Sequence, residues 1–244
     1  MSDQITTSHQ ITPAASVTAD EVEELIYVIT HDLRGSFRAI QLIPDFIRED
    51  LSGLPPLQQE VLDGHVGMLK TIAGRCDRML VDLRDYSRIG RCADPVSDHA
   101  VSALLDHARA DLALSESFDL TSAGSGIVTG PRNELNLLFA CLISNAVKHH
   151  DQDRGTIRVA ITTSGQMQQI SISDDGPGIP AHLREEAFGV LRTLKSRDVC
   201  EGSGMGLPIA RKIITRLGGS VTIGDNPAGR GTRITLTLPG HPGQ

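Results

Sequence analysis

The sequence predicts a multidomain protein, two long helices folded back as an antiparallel hairpin and then an α+β domain. Three observations carry that prediction. Apolar residues recur at steps of three and four over two long N-terminal stretches, the period of a helix with one sticky face. Beyond Ala93-Asp94-Pro95 the texture changes to short strand-like runs alternating with helical ones. The chain has 244 residues, enough for two modest cores.

In chain order, residues 1–17 are rich in Ser, Thr and Gln without periodicity and are expected to form a flexible arm. Thr18 opens a capping box with Glu21. The first apolar stripe runs Val22, Ile26, Ile29, Leu33, Phe37, Ile40, Ile43 and Ile47, with Pro44 expected to kink the helix. Ser52-Gly53-Leu54-Pro55-Pro56 reads as a turn. The second stripe runs from Leu62 through Val66, Leu69, Ala73, Cys76 and Leu80 to Leu83. A hairpin alone cannot cover both stripes, so pairing with a second copy as a four-helix bundle, a homodimer, is expected.

The hairpin is assigned to 18–92, a linker to 93–97 and the α+β domain to 98–240. Within the latter, helices are expected at Ser102–Leu114, from Gly130-Pro131 to His149, and from Met205 to Leu217, where Gly218-Gly219 stops it. Strands are expected around Gly126–Val128 and at Thr156–Thr163, Gln169–Ser173, Ser220–Gly224 and Thr232–Leu238.

Composition narrows the function classes. Hydrophobic residues make up 39% and charged residues 22%, as in ordinary soluble globular proteins. Aromatics reach only 3%, so Leu, Ile, Val and Ala must build the cores. A net charge of −7 argues against nucleic acid as a general partner. Four scattered cysteines offer no metal spacing and read as reduced thiols. No apolar run approaches the roughly 20 residues of a membrane span, and MSDQITTSHQ lacks a secretory pattern. A cytoplasmic location is expected.

Four elements carry chemistry. His31 lies two residues past Ile29, turned about 200° around the helix and away from the stripe. A neutral imidazole there is available as nucleophile or proton carrier, with Asp32 able to accept a proton or orient the ring. An exposed helical histidine alone is ordinary. Asp174-Asp175-Gly176-Pro177-Gly178-Ile179 follows a strand: a carboxylate there can accept from an exocyclic amino group, and glycines let backbone approach a flat ring. The same letters also suit a tight turn. Gly202-Ser203-Gly204-Met205-Gly206-Leu207 leads into a helix, where backbone N–H groups form an anion site suited to phosphates. Neither a Walker loop nor a dinucleotide fingerprint surrounds it. Asn145, Lys148 and His149 share one helix face. An amide oxygen there suits Mg²⁺, an ammonium a phosphate and an imidazole a base.

In this order the elements resemble the sensor histidine kinases of two-component systems. His31-Asp32-Leu33-Arg34 is similar to their phosphoacceptor box, and Ser144-Asn145-Ala146-Val147-Lys148-His149 to the N box. Asp174-Asp175-Gly176-Pro177-Gly178 resembles the first glycine box, Gly202–Leu207 the second, and Gly229-Arg230-Gly231-Thr232 the last glycine motif. The similarity spans residues 20–240. Residues 187–198 resemble the lid over ATP, in wording closest to bacterial phytochrome-type kinases.

The resemblance implies a Bergerat-type α/β-sandwich and the cofactors ATP and Mg²⁺. Asp174 would take the adenine amino group, Asn145 the metal, and Lys148, Lys195 and Arg197 the phosphates, with His149 near the base. His31, assisted by Asp32, would attack the γ-phosphate. The phosphoryl group would then pass to an Asp of a response-regulator receiver domain. The stimulus would come from a partner protein or from a region outside this sequence.

Three positions depart from the family pattern. Ser36 stands where Pro is usual, and Gly35 where a Thr or Asn would position a water for dephosphorylating the regulator. Cys141 stands where a first Asn of the N box is common. A phosphotransfer hub with a vestigial nucleotide domain is the main alternative, and it predicts eroded glycine boxes. A serine/threonine kinase of the anti-sigma type would need neither the hairpin nor His31, and a scaffolding dimer leaves the nucleotide motifs unexplained.

Overall fold

The computed structural model describes residues 19–53, 55–91, 94–193 and 203–240. Helix α1 spans Ala19–Asp50 and α2 spans Pro56–Arg88, packed side by side along their length. Thr18, proposed as the cap of α1, lies outside the described residues. Pro44 cannot donate to the carbonyl one turn earlier, yet α1 continues through it and buries its ring. Ion pairs set the antiparallel register: Arg34 with Asp77 at 3.3 Å, Arg48 with Asp63 at 2.8 Å, and Lys70 with Asp45. The register that these pairs define puts residues 80–84 of α2 at the level of His31.

The second half holds strands β1 Val96–Ala100, β2 Phe118–Ala123, β3 Ile127–Pro131, β4 Gly155–Ser164, β5 Met167–Asp174, β6 Ser220–Asp225 and β7 Thr232–Pro239. Its helices are α3 Val101–Asp111, α4 Arg132–Lys148 and α5 Gly206–Arg216. Five strands form one sheet in the order β2-β4-β5-β7-β6, parallel only between β2 and β4. The helices pack on it around Phe139, Leu135, Leu138, Ile143, Ile213 and Ile170, all fully buried. A helical N-terminal part followed by an α/β sandwich is thus the architecture.

Two strands correct the sequence reading. β1 pairs antiparallel with β3 from Val96 onward, so Val96 and Ser97 are strand rather than linker. Its sequence, VSDHA, buries only His99 and carries no alternation to read. β2 was not expected at all. Phe118 and Leu120 alternate inward, but two buried residues make too short a period-2 signal.

The end of α2 is anchored to the second half. Ile89 belongs to its core, the Gly90 N–H donates to Glu134 Oε1 at 3.0 Å, and Lys212 Nζ donates to the Tyr86 carbonyl at 2.9 Å. Arg216 completes the Glu134 pair at 2.7 Å.

Candidate functional site

A cleft of about 400 Å³ opens between α4, the end of β5 and the start of α5. It brings together residues far apart in sequence: Asn145 and Lys148 of α4 with His149 just beyond it, Asp174 at the end of β5 with Gly178 and Ile179 after it, Ser203, Gly204, Gly206 and Leu207 before and in α5, and Thr232 of β7. Gly176 and Met205 are buried behind this lining. Lys195, Arg197 and Gly202 lie outside the described residues.

Asp174 ends β5 with its side chain fixed from behind. Its Oδ1 accepts the N–H groups of Gly176 and Thr232, each at 3.0 Å. Burial pushes its pKa up, and those two bonds with the nearby His150 only partly offset it. The last glycine motif folds onto the same point. Asn226 Nδ2 donates to the Asp174 carbonyl at 2.8 Å, and Arg230 Nε donates to the Gly176 carbonyl at 2.9 Å. At Gly231, with φ of 117°, a Cβ would sit 1.9 Å from the Asp174 carbonyl oxygen, so only glycine lets these segments touch.

Asp175, one residue on, is shifted the other way. Burial opposes its charge, but the Thr156 N–H at 2.7 Å, the Thr156 hydroxyl at 2.9 Å and His150 together hold its pKa below the usual carboxylate range. The His150 ring is buried edge-on to Phe118. The Gln152 N–H donates to its Nδ1 at 3.0 Å, a bond matched by the tautomer in which Nε2–H donates to Asp175 at 3.1 Å. The sequence reading missed His150, the second of two adjacent histidines. No local signal separates the cleft-lining His149 from its buried neighbour.

The second glycine box is shaped by contact as well as by conformation. Gly204 has a φ of 73°, and a Cβ there would meet the Arg192 carbonyl oxygen at 2.4 Å. Ser203 Oγ accepts the Met205 N–H at 3.2 Å and donates to Asp82 of α2. Asp82 lines the cleft and was also missed, since 121 residues separate it from Ser203. Cys141, at the departure from the N box, lines the cleft with its thiol pKa pushed by burial to about 12.

His31 is placed on the hairpin with its side chain 74% exposed, Nδ1 lying 3.1 Å from Asp32 Oδ1. The neighbouring Thr30 is buried, so the histidine sits on the open side of α1. Among the described residues, no three or more His, Cys, Asp or Glu side chains gather to hold a metal. Mg²⁺ at a nucleotide site is bound through one or two protein oxygens together with substrate phosphates and water. The Asn145 amide oxygen, on the cleft wall, is the candidate.

A sheet with helices on one face and an aspartate and glycine boxes around a cleft defines a class. Residues 130–242 match the family described as histidine kinase-, DNA gyrase B- and HSP90-like ATPases. Over 228 residues, 90% of its length, the chain is 29% identical to the methanogenesis regulatory histidine kinase FilI of Methanothrix harundinacea, covering 25% of that protein. It is 25% identical to cyanobacterial phytochrome B of Nostoc, over 89% of this chain and 29% of that one. Full-length ShkA in complex with AMPPNP shares the fold, with a TM-score of 0.65 at 17% identity, over 91% of this chain and 46% of that one. Residues 130–242 thus carry the ATPase domain of that family, and over nine tenths of its length the chain is similar to a regulatory histidine kinase. The chain spans between a quarter and a third of the length of the two relatives named here. Among the described residues, no helix is long and apolar enough to cross a membrane.

Proposed function

We propose that this chain is a protein-histidine kinase that phosphorylates His31 from Mg-ATP and hands the phosphoryl group to an aspartate of a response regulator. The observation that carries this reading is the cleft. One wall presents Asp174, backed by two N–H donors, and another presents Asn145, Lys148 and the N-terminus of α5. Both bonds to Asp174 fall on Oδ1, which leaves Oδ2 to accept from the adenine amino group. His149 and Ile179 flank the base. Lys148 and the N–H groups of the Ser203–Leu207 turn hold phosphate oxygens. Lys195 and Arg197 are assigned to the phosphates by sequence resemblance. Bound Mg²⁺, held by Asn145, would neutralise phosphate charge.

Phosphoryl transfer needs positioning and charge neutralisation more than covalent help from the protein. With Nδ1–H donating to Asp32, the His31 Nε2 lone pair faces solvent and is the attacking atom. As Nε2 bonds to the γ-phosphorus, the bond to the β,γ-bridging oxygen breaks and ADP leaves. Asp32 stabilises the positive ring and takes the Nδ1 proton. The receiver aspartate attacks the phosphoimidazole in turn and restores His31.

The exposed apolar faces of α1 and α2 support a homodimeric bundle, and the charge supports a partner that is protein rather than nucleic acid. We place the chain in the cytoplasm, with its stimulus delivered by a separate sensor protein or by sequence outside this chain. Incubation with γ-labelled Mg-ATP tests the reading. Acid-labile, alkali-stable label is expected on wild type and on neither His31→Ala nor Asn145→Ala. Label persisting on His31→Ala would overturn it.

A further inference from the structure

One cleft side chain has no task in that reaction. Asp82 belongs to the hairpin, not to the α/β domain, yet it lines the cleft and accepts a hydrogen bond from the Ser203 hydroxyl. It sits on the stretch of α2 level with His31. Burial opposes its charge, and Ser203 and Lys148 pull the other way. A buried carboxylate is tolerated where donors and cations meet it. Here those groups are the ones assigned to ATP phosphates, so Asp82 uses the partners that a phosphate would use. Two ties at and just beyond the end of α2, Lys212 to the Tyr86 carbonyl and Gly90 to Glu134, involve residues outside the cleft lining.

We infer that Asp82 is an intramolecular anion guard: its carboxylate occupies the phosphate-binding part of the cleft through Ser203, and ATP must displace it. This rests on the nucleotide reading of the cleft. Displacement follows from charge, because the triphosphate brings several negative charges toward one buried carboxylate in a poorly screened site. The newcomer takes over Ser203 and Lys148 and leaves Asp82 with the weaker attraction of Arg78, opposed by Asp85. Nucleotide binding thereby parts the second glycine box from α2 and frees the loaded cleft to move relative to His31. Without nucleotide, the same contact parks the cleft against the hairpin.

Calorimetric titration of the full chain tests the guard. In Asp82→Asn, which retains an acceptor for Ser203 but no charge, Mg-ATP should bind about tenfold tighter than to wild type. The gain should be smaller for ADP and absent for adenosine. Asp82→Ala should show the same order, and Asp82→Glu, which keeps the charge, should not. Wild-type affinity for ATP in both neutral variants would overturn the guard while leaving the nucleotide site intact. An equal gain for adenosine would overturn it too, since the effect would then not act on phosphates. Weaker binding that appears only with Mg²⁺ present would overturn it by making Asp82 a metal ligand. If neither wild type nor any variant bound ATP or adenosine, the nucleotide reading itself would fall, and the guard with it.

Discussion

The two halves of the molecule handle their apolar surface in opposite ways. In the α/β domain the 17-residue helix α4 buries seven residues and closes a core on the sheet. In the hairpin the 33-residue helix α2 buries three, Val66, Ala73 and Ser87. Leu42, Phe46, Leu57 and Met68 are each more than half exposed. Scattered apolar residues on a surface are ordinary, but a stripe of them along two paired helices marks an interaction surface. The domain closes its core within one chain, whereas the hairpin leaves apolar residues of both helices uncovered, the surface on which the proposed dimer would form. Binding of nucleotide and assembly are therefore expected to fail independently.

The largest effect should come from the closed core. Phe139 is fully buried in α4, and Phe139→Ala should cost about 3–5 kcal/mol of domain stability. Thermal unfolding followed by circular dichroism should split, the α/β transition falling well below that of the hairpin. A single transition shifted as a whole would show that the halves melt as one unit. Next comes the open half. Ile43→Asp combined with Phe46→Asp puts charge on exposed apolar positions of α1. Light scattering should report a monomer in place of a dimer, with ATP affinity within about twofold of wild type. An unchanged mass would place the dimer face elsewhere. Third, Gly231→Ala drives a Cβ into the Asp174 carbonyl. ATP affinity should fall at least about tenfold while the dimer persists, because the damage is confined to the strand end that positions Asp174.

What the sequence revealed of each half follows the same division. The hairpin was legible because two stripes at helical period extend over many turns, and His31 could be placed on its open side by angle alone. In the domain, α4 and α5 were legible from their punctuation. Gly130-Pro131 marked the entry to α4 to within one residue, Pro131 standing just before the helix, and Gly218-Gly219 marked the exit of α5. The cleft-lining positions Asn145, Asp174 and Gly204 were visible as motifs. Their convergence rests on pairings such as Thr232 with Asp174, 58 residues apart, which no local pattern encodes. Asp82 and His150 were missed for that reason. Each matters through a partner contributed by a distant segment, Ser203 for one and Asp175 for the other. β1 and β2 were missed because each buries too few side chains to show a period.

The smallest predicted effect separates binding from folding inside the first glycine box itself. Asp174 and Asp175 are adjacent, yet burial raises the pKa of the first while the bonds from Thr156 and His150 outweigh burial at the second. A raised native pKa means that the folded state holds its proton more tightly than the unfolded chain. Ionising Asp174 therefore costs stability as pH rises from about 4, the free carboxylate value, through its raised native pKa. The depressed Asp175 does the reverse: it contributes stability above about 4, lost as pH falls toward its native pKa. In the proposed function, adenine recognition needs Asp174 as the carboxylate. Affinity for adenosine, which has no titrating phosphate, should thus begin to fall on acidification above pH 4, while Asp175 still supports the fold. Measuring this in Asp82→Asn removes the second raised carboxylate of the cleft from the titration. Asp174→Asn keeps an acceptor for Gly176 and Thr232 without the buried charge, so it should melt slightly higher than wild type at pH 7 and bind adenosine weakly at every pH. If affinity and helical signal were instead lost together below pH 4, Asp174 would be a structural carboxylate like its neighbour, and recognition of the base would have to lie elsewhere in the cleft.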